Sequence, residues 1–185
     1  SWGSDHDVFL DGTIGVPSTM YGNWPDNFYH SSEDLPDKVD ATQLTRVIFF
    51  TSALASTIAY ADDGTAENIL YKTVGNAYQS AGDYFKKASD LITSSDVSNL
   101  PKAYYDAEKT IECGVECENR AIKSVSVLSK KQFDFSSYEN ALNNMKNNLK
   151  SQLKDIYNHR CITLGIQPDT YTLNEEETEA SIIIP

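Results

Sequence analysis

The sequence predicts an all-α protein: an up-down-up-down four-helix bundle over residues 40–164, with an extended N-terminal arm at 1–39 and an acidic C-terminal tail at 165–185. Three observations predict it. Residues 70–91 carry apolar side chains at alternating spacings of four and three without a break. Short polar connections separate this stretch from apolar-periodic neighbours, and short connections force consecutive helices to run antiparallel. The charge is also segregated. The chain carries −12, with −7 in residues 1–40, −5 in residues 165–185 and a neutral stretch between.

The first 39 residues lack a helical period. Asp11-Gly12, Gly15, Pro17, Gly22, Pro25 and Pro36 interrupt regular structure. The arm nonetheless holds Trp2, Phe9, Tyr21, Trp24, Phe28 and Tyr29. Disordered linkers are poor in aromatics, so these six are expected to anchor the arm on a surface.

The first helix begins at Asp40, a good cap, with Gln43 at the capping-box position. Leu44, Val47, Ile48, Leu54, Ala55 and Ile58 share a face, and Asp62-Asp63-Gly64 is expected to end the helix. Val47–Ala61, preceded by Arg46 and ending small-x-small, resembles an export leader. It lies far from the first residue and falls short of the roughly 20 apolar residues a span needs. A buried helix is therefore expected, and membrane insertion is not.

The second helix carries the seam Leu70, Val74, Ala77, Ala81, Tyr84, Ala88 and Leu91. Beside it Gly75, Gly82 and Ser89 recur every seven residues, which predicts close helix contact. The third helix starts near Asn99-Leu100-Pro101, with proline where its missing N–H costs little. Its seam reads Tyr104, Ala107, Ile111, Gly114, Glu118, Ala121, Val125 and Leu128. Glu118 is expected on the flank, or paired with Arg120 or Lys123. The fourth helix opens on Ser136-Ser-Tyr-Glu139, a capping-box pattern, and closes at Gly165. Its apolar face runs from Tyr138 through Leu142, Met145, Leu149, Leu153 and Ile156 to Tyr157, and Lys146, Lys150 and Lys154 make a basic outer face.

Three cysteines, Cys113, Cys117 and Cys161, raise the question of a metal or a bridge. In a straight hairpin Cys161 lies about 12 Å from Cys113 and about 18 Å from Cys117 along the axis. That separation suits neither zinc with His159 nor a disulfide, whose Cα atoms lie within about 7 Å. Free thiols are expected, and a Cys113–Cys161 bridge stays open if the last helix folds back. No metal or cofactor is called for. None of the three histidines sits three after a Glu, which excludes the di-iron carboxylate pattern. Nucleophile-elbow, phosphate-loop and dinucleotide motifs are absent from the sequence.

The expected function is therefore non-enzymatic: an accessory subunit or secreted binding module that docks through its acidic arms. The partner is a protein with a basic surface, since nucleic acid would need basic residues instead. A secreted or lumenal setting is favoured over the cytoplasm. One alternative is a carrier of an apolar or lipid-like ligand, with Phe49, Phe50 and Tyr84 beside a cavity left by the small residues. A third reading, an enzyme using Glu118 and a thiol, has no motif behind it. In layout, an extended arm before a four-helix bundle resembles the extrinsic subunits of photosystem II. That likeness implies an extrinsic lumenal subunit of a membrane complex as a further alternative and carries over no residue roles.

Overall fold

A computed structural model describes Val8, residues 20–22 and residues 24–178. The described residues are helical or irregular, with no strand among them, and the four expected long helices are all formed. The chain divides into two compact units, residues 1–60 and 61–185.

The first unit contains a 3₁₀ turn at Pro36–Lys38 and helix α1 at Ala41–Ala59. Asp40 caps α1 as expected, its carboxylate accepting from the Thr42 and Gln43 amides at 2.7 and 3.0 Å. No residue of α1 is buried. Leu44, Ile48, Phe49, Phe50, Leu54 and Ile58 are all exposed, Phe49 by 67%. The helix ends at Ala59, before the Asp-Asp-Gly trio. That trio instead starts the next helix, because the Asp62 carboxylate accepts from both the Thr65 amide and its hydroxyl at 2.7 Å.

The second unit holds α2 at Asp63–Ser94, α3 at Leu100–Ser124 with a 3₁₀ turn at Val125–Leu128, and α4 at Ser136–Leu164. Within this unit the helix ends meet in pairs. Ser129, after α3, donates to Asp63 at the start of α2. Lys123 near the end of α3 pairs with Glu139 near the start of α4. Arg160 near the end of α4 donates to the Ser95 carbonyl after α2 at 3.1 Å. The core comes from all three helices: Leu70, Ala77, Ala88 and Ile92 from α2; Ala107, Ile111, Val115 and Ile122 from α3; Leu142, Leu153 and Cys161 from α4. A fully buried leucine or isoleucine contributes about 1.5–3 kcal/mol relative to exposure.

Both expected seams slip by one residue late in their helices. Leu91 is exposed while Ile92 is buried, and Ala121 is exposed while Ile122 is buried. A strict heptad drifts by about 20° per repeat against a straight helix, so the next residue comes to face the core.

Two termini also differ in detail. The Ser136 capping box is not made: the Asp134 carboxylate accepts from the Ser136 amide at 2.9 Å, and Glu139 turns to Lys123. Gly165 closes α4 as expected, left-handed at φ 69°. The Ile166 amide there reaches back to the Cys161 carbonyl at 3.0 Å.

Candidate functional site

In the first unit, residues 20–47 enclose a groove of about 610 Å³. Local hydrogen bonds build its wall. The Asp26 carboxylate accepts from the Phe28 amide at 2.9 Å, and the Phe28 carbonyl accepts from the Ser31 hydroxyl at 2.7 Å. Proline then sets the 3₁₀ turn that leads into Asp40 and α1. Met20, Tyr21, Phe28, Val39, Leu44 and Val47 give the groove its apolar and aromatic surface, and Asp26, Asp34 and Asp40 give it charge.

Lys38 also lines the groove, its ammonium 5.5 Å from the centre of the Phe28 ring and 2.9 Å from the Asp37 carboxylate. An aromatic face beside carboxylates is an environment for a cation with an apolar stem, because the ring attracts the charge while its surface covers the methylenes.

The six expected interaction residues divide. Tyr21 and Phe28 line the groove. Trp24 and Tyr29 meet edge to face at 6.0 Å, and Tyr29 stacks on His30 at 4.0 Å. Trp2 and Phe9 lie outside the described residues. The sequence reading missed Lys38, Leu44 and Val47 as groove residues. Leu44 and Val47 carried a signal, the apolar face of the first helix, whereas nothing local in the sequence places Lys38 over Phe28.

The second unit carries a different constellation. Glu112 on α3 accepts from Lys109 and from Lys150 of α4, and Lys150 also lies 3.6 Å from Glu108. Burial pushes the Glu112 carboxyl up, but these lysines outweigh it and hold the group below the usual carboxylate value. Lys150 is therefore an interhelical tie rather than part of a basic outer face. Tyr104 and Tyr157 stack at 4.4 Å beside it. Burial, and then the nearby Glu108, push the Tyr104 phenol up to about 12.

The acidic tail does not extend freely from the bundle over its described residues. The Tyr157 hydroxyl donates to the Asp169 carbonyl and accepts from its amide. Glu177 pairs with Lys102 at 3.2 Å and accepts from the Tyr171 hydroxyl. Asn174 and Glu177 exchange amide-to-side-chain bonds in a capping box. The spacing Asn174-x-x-Glu177 is the sequence signal for this turn.

Glu118 is half-buried on α3, where the Tyr84 hydroxyl donates to it at 2.9 Å. It pairs with neither Arg120 nor Lys123 among its described bonds. The three cysteines are separate free thiols. The Cys113–Cys161 bridge is not made, because Cys161 points into the core while Cys113 is exposed. Among the described residues no three His, Cys, Asp or Glu side chains converge as metal ligands.

The helix-contact reading of Gly75 and Gly82 is corrected. A Cβ at either would meet nothing within 4 Å, and both are exposed. Ser89 is half-buried, with its hydroxyl on the Phe85 carbonyl. The close approach occurs instead at Gly114, where a Cβ would come within 2.5 Å of the Tyr84 ring. The small stripe beside the α2 seam thus faces outward, which removes the observation that suggested an internal ligand cavity.

No family model matches the chain, and no curated protein or solved structure matches it.

Proposed function

We propose that this chain is a non-enzymatic helical interaction protein, an accessory subunit or secreted binding module. Its N-terminal unit docks onto a basic segment of a protein partner through the acidic, aromatic groove. The supporting observation is the pairing of Phe28 and Tyr21 with Asp26, Asp34 and Asp40 in one groove that already holds a lysine ammonium over an aromatic ring. The surrounding sequence adds Glu33 and Asp37, so a basic segment would be steered toward the groove. The C-terminal tail is the weaker docking element, since Glu177 is already satisfied by Lys102 and Tyr171.

The test is binding of the full chain to a labelled lysine-rich peptide, with a glutamate-rich peptide of the same length as control. The Asp26→Asn, Asp34→Asn double variant keeps an acceptor for the Phe28 amide and removes two charges. It should weaken lysine-peptide binding by about 3- to 10-fold, in keeping with up to about 1 kcal/mol per exposed ion pair. The effect should shrink in 1 M salt, where the Debye length is about 3 Å. Equal binding by wild type and variant at low salt would remove the groove from the function.

A further inference from the structure

We propose that Lys38 is a built-in competitor in the groove. Its ammonium lies over the Phe28 ring where a partner's lysine would lie, so binding exchanges one ammonium for another. The inference rests on the reading of the groove as a site for a basic segment. It adds how that site is regulated: a ligand that uses the ring must first displace Lys38.

The backbone positions this plug without help from the side chain. The Lys38 amide donates to the Leu35 carbonyl at 2.9 Å and the Val39 amide to the Pro36 carbonyl at 3.3 Å, closing the 3₁₀ turn. Pro36 fixes φ at the start of that turn. The Lys38 side chain thus leaves from a fixed point on the groove wall, and the turn does not depend on where its ammonium goes. That ammonium has two contacts, the Phe28 ring at 5.5 Å and the Asp37 carboxylate at 2.9 Å. The side chain is 33% exposed where that of Asp37 is 65% exposed. The difference marks a stem laid along the groove with only its charged end reaching out to Asp37.

The two contacts separate easily. Asp37 does not line the groove, so the ion pair can persist after the ammonium leaves the ring. Exchange then costs Lys38 its ring contact alone. The groove also holds a carboxylate for the newcomer. Asp26 and Asp40 accept from backbone amides. The Asp34 carboxylate makes no bond among the described residues.

The ring decides that the two cations compete. An aromatic face attracts a cation within about 6 Å of its centre. A second ammonium drawn to the same face meets the charge of the first, so one must leave. An exposed contact of this kind favours the plugged state over the open one by about 2- to 5-fold. The plug therefore lowers the affinity of an incoming lysine by about 3- to 6-fold.

The experiment incorporates isotope-labelled lysine into the full chain and follows the Lys38 ε-methylene by NMR. Its signal is assigned by its loss in Lys38→Gln. In the free chain it should lie upfield of its position in Phe28→Leu, shifted by the ring. Saturation with the lysine-rich peptide should move it to that position, and the glutamate-rich peptide should leave it in place. Affinity gives a second readout. Lys38→Gln should bind the lysine-rich peptide about 3- to 6-fold more tightly than wild type. Arg46→Gln removes the same charge from a residue that does not line the groove. It should gain about 2-fold at most, and lose that gain in about 1 M salt, where Lys38→Gln keeps most of its own.

Three results would overturn the exchange: a Lys38 signal unshifted in the free chain, one that stays upfield in the saturated complex, or a Lys38→Gln gain no larger than that of Arg46→Gln. If the Asp26→Asn, Asp34→Asn variant still weakens binding in those cases, the groove reading stands without the plug. Failure of the peptide to bind any of these chains would remove both.

Discussion

Helices α1 and α2 invert the usual link between composition and burial. Helix α1 has Arg46 as its one charged residue and buries nothing. Helix α2 contains Asp63, Glu67, Lys72, Asp83, Lys86, Lys87 and Asp90, yet buries Ala66, Leu70, Ala77, Ala81, Ala88 and Ile92. Apolar content alone therefore does not place a helix in a core. What α2 has is a narrow seam in register with two partners, α3 and α4, that carry seams of their own. In α1 the apolar residues spread around the helix, with Phe49 and Phe50 flanking the Leu44–Ile58 stripe. That distribution suits docking or an apolar medium as well as it suits a bundle.

The largest effect that tests this contrast is truncation. Leu153→Ala, at a fully buried position, should lower stability by about 2–5 kcal/mol. Leu54→Ala, the same change on α1, should leave the bundle's unfolding within about 0.5 kcal/mol of wild type. Urea unfolding of the full chain, followed by circular dichroism, measures both. Comparable losses would show that α1 belongs to the same cooperative core.

A second contrast lies between glycines within the bundle. Gly114→Ala should destabilise by about 1–3 kcal/mol, because the new methyl collides with the Tyr84 ring. Gly82→Ala, facing open space in a helix interior, should stabilise by up to about 1 kcal/mol. Thermal melts of the two variants should move in opposite directions, and a loss at Gly82 would restore it as a helix contact.

Much of the helical fold was legible in the sequence because heptad spacing, the Asp40 cap and the Gly165 stop are local signals. The four helices and most core residues of α2 to α4 follow from them. Three features were not legible. The slips to Ile92 and Ile122 depend on accumulated drift, which spacing within one heptad does not reveal. The outward turn of Gly75 and Gly82 depends on which side of the seam the partners take. The Glu112–Lys150 tie, the Tyr84–Glu118 bond and the strapped tail join residues distant in sequence. In the groove, Tyr21 and Phe28 were recognised as aromatic anchors, while Lys38 needed the turn to bring it over the ring.

A smaller effect separates the tail from the bundle. Glu177 is held below its ordinary value near 4.5 by the Tyr171 hydroxyl, the Asn174 amide and Lys102. A depressed carboxylate stabilises its contacts above the unfolded value and loses them as pH falls through the folded one. Amide exchange of residues 169–178, corrected for intrinsic rates, should therefore quicken as the pH falls through the lowered value of Glu177, before the bundle's own amides respond. Glu177→Gln should bring the same loosening at pH 7. A tail whose protection is unchanged from pH 7 to pH 3 would break this link.

The most direct measurement of the central claim, that the buried residues of α2, α3 and α4 form one core while α1 buries none of its own, is hydrogen exchange by mass spectrometry on the intact chain at pH 7. The claim predicts that core amides of α2, α3 and α4 exchange only through global unfolding, while those of α1 exchange through local opening and are deuterated orders of magnitude sooner. Protection of α1 equal to that around Ile111 and Leu153, lost in the same step with denaturant, would contradict it.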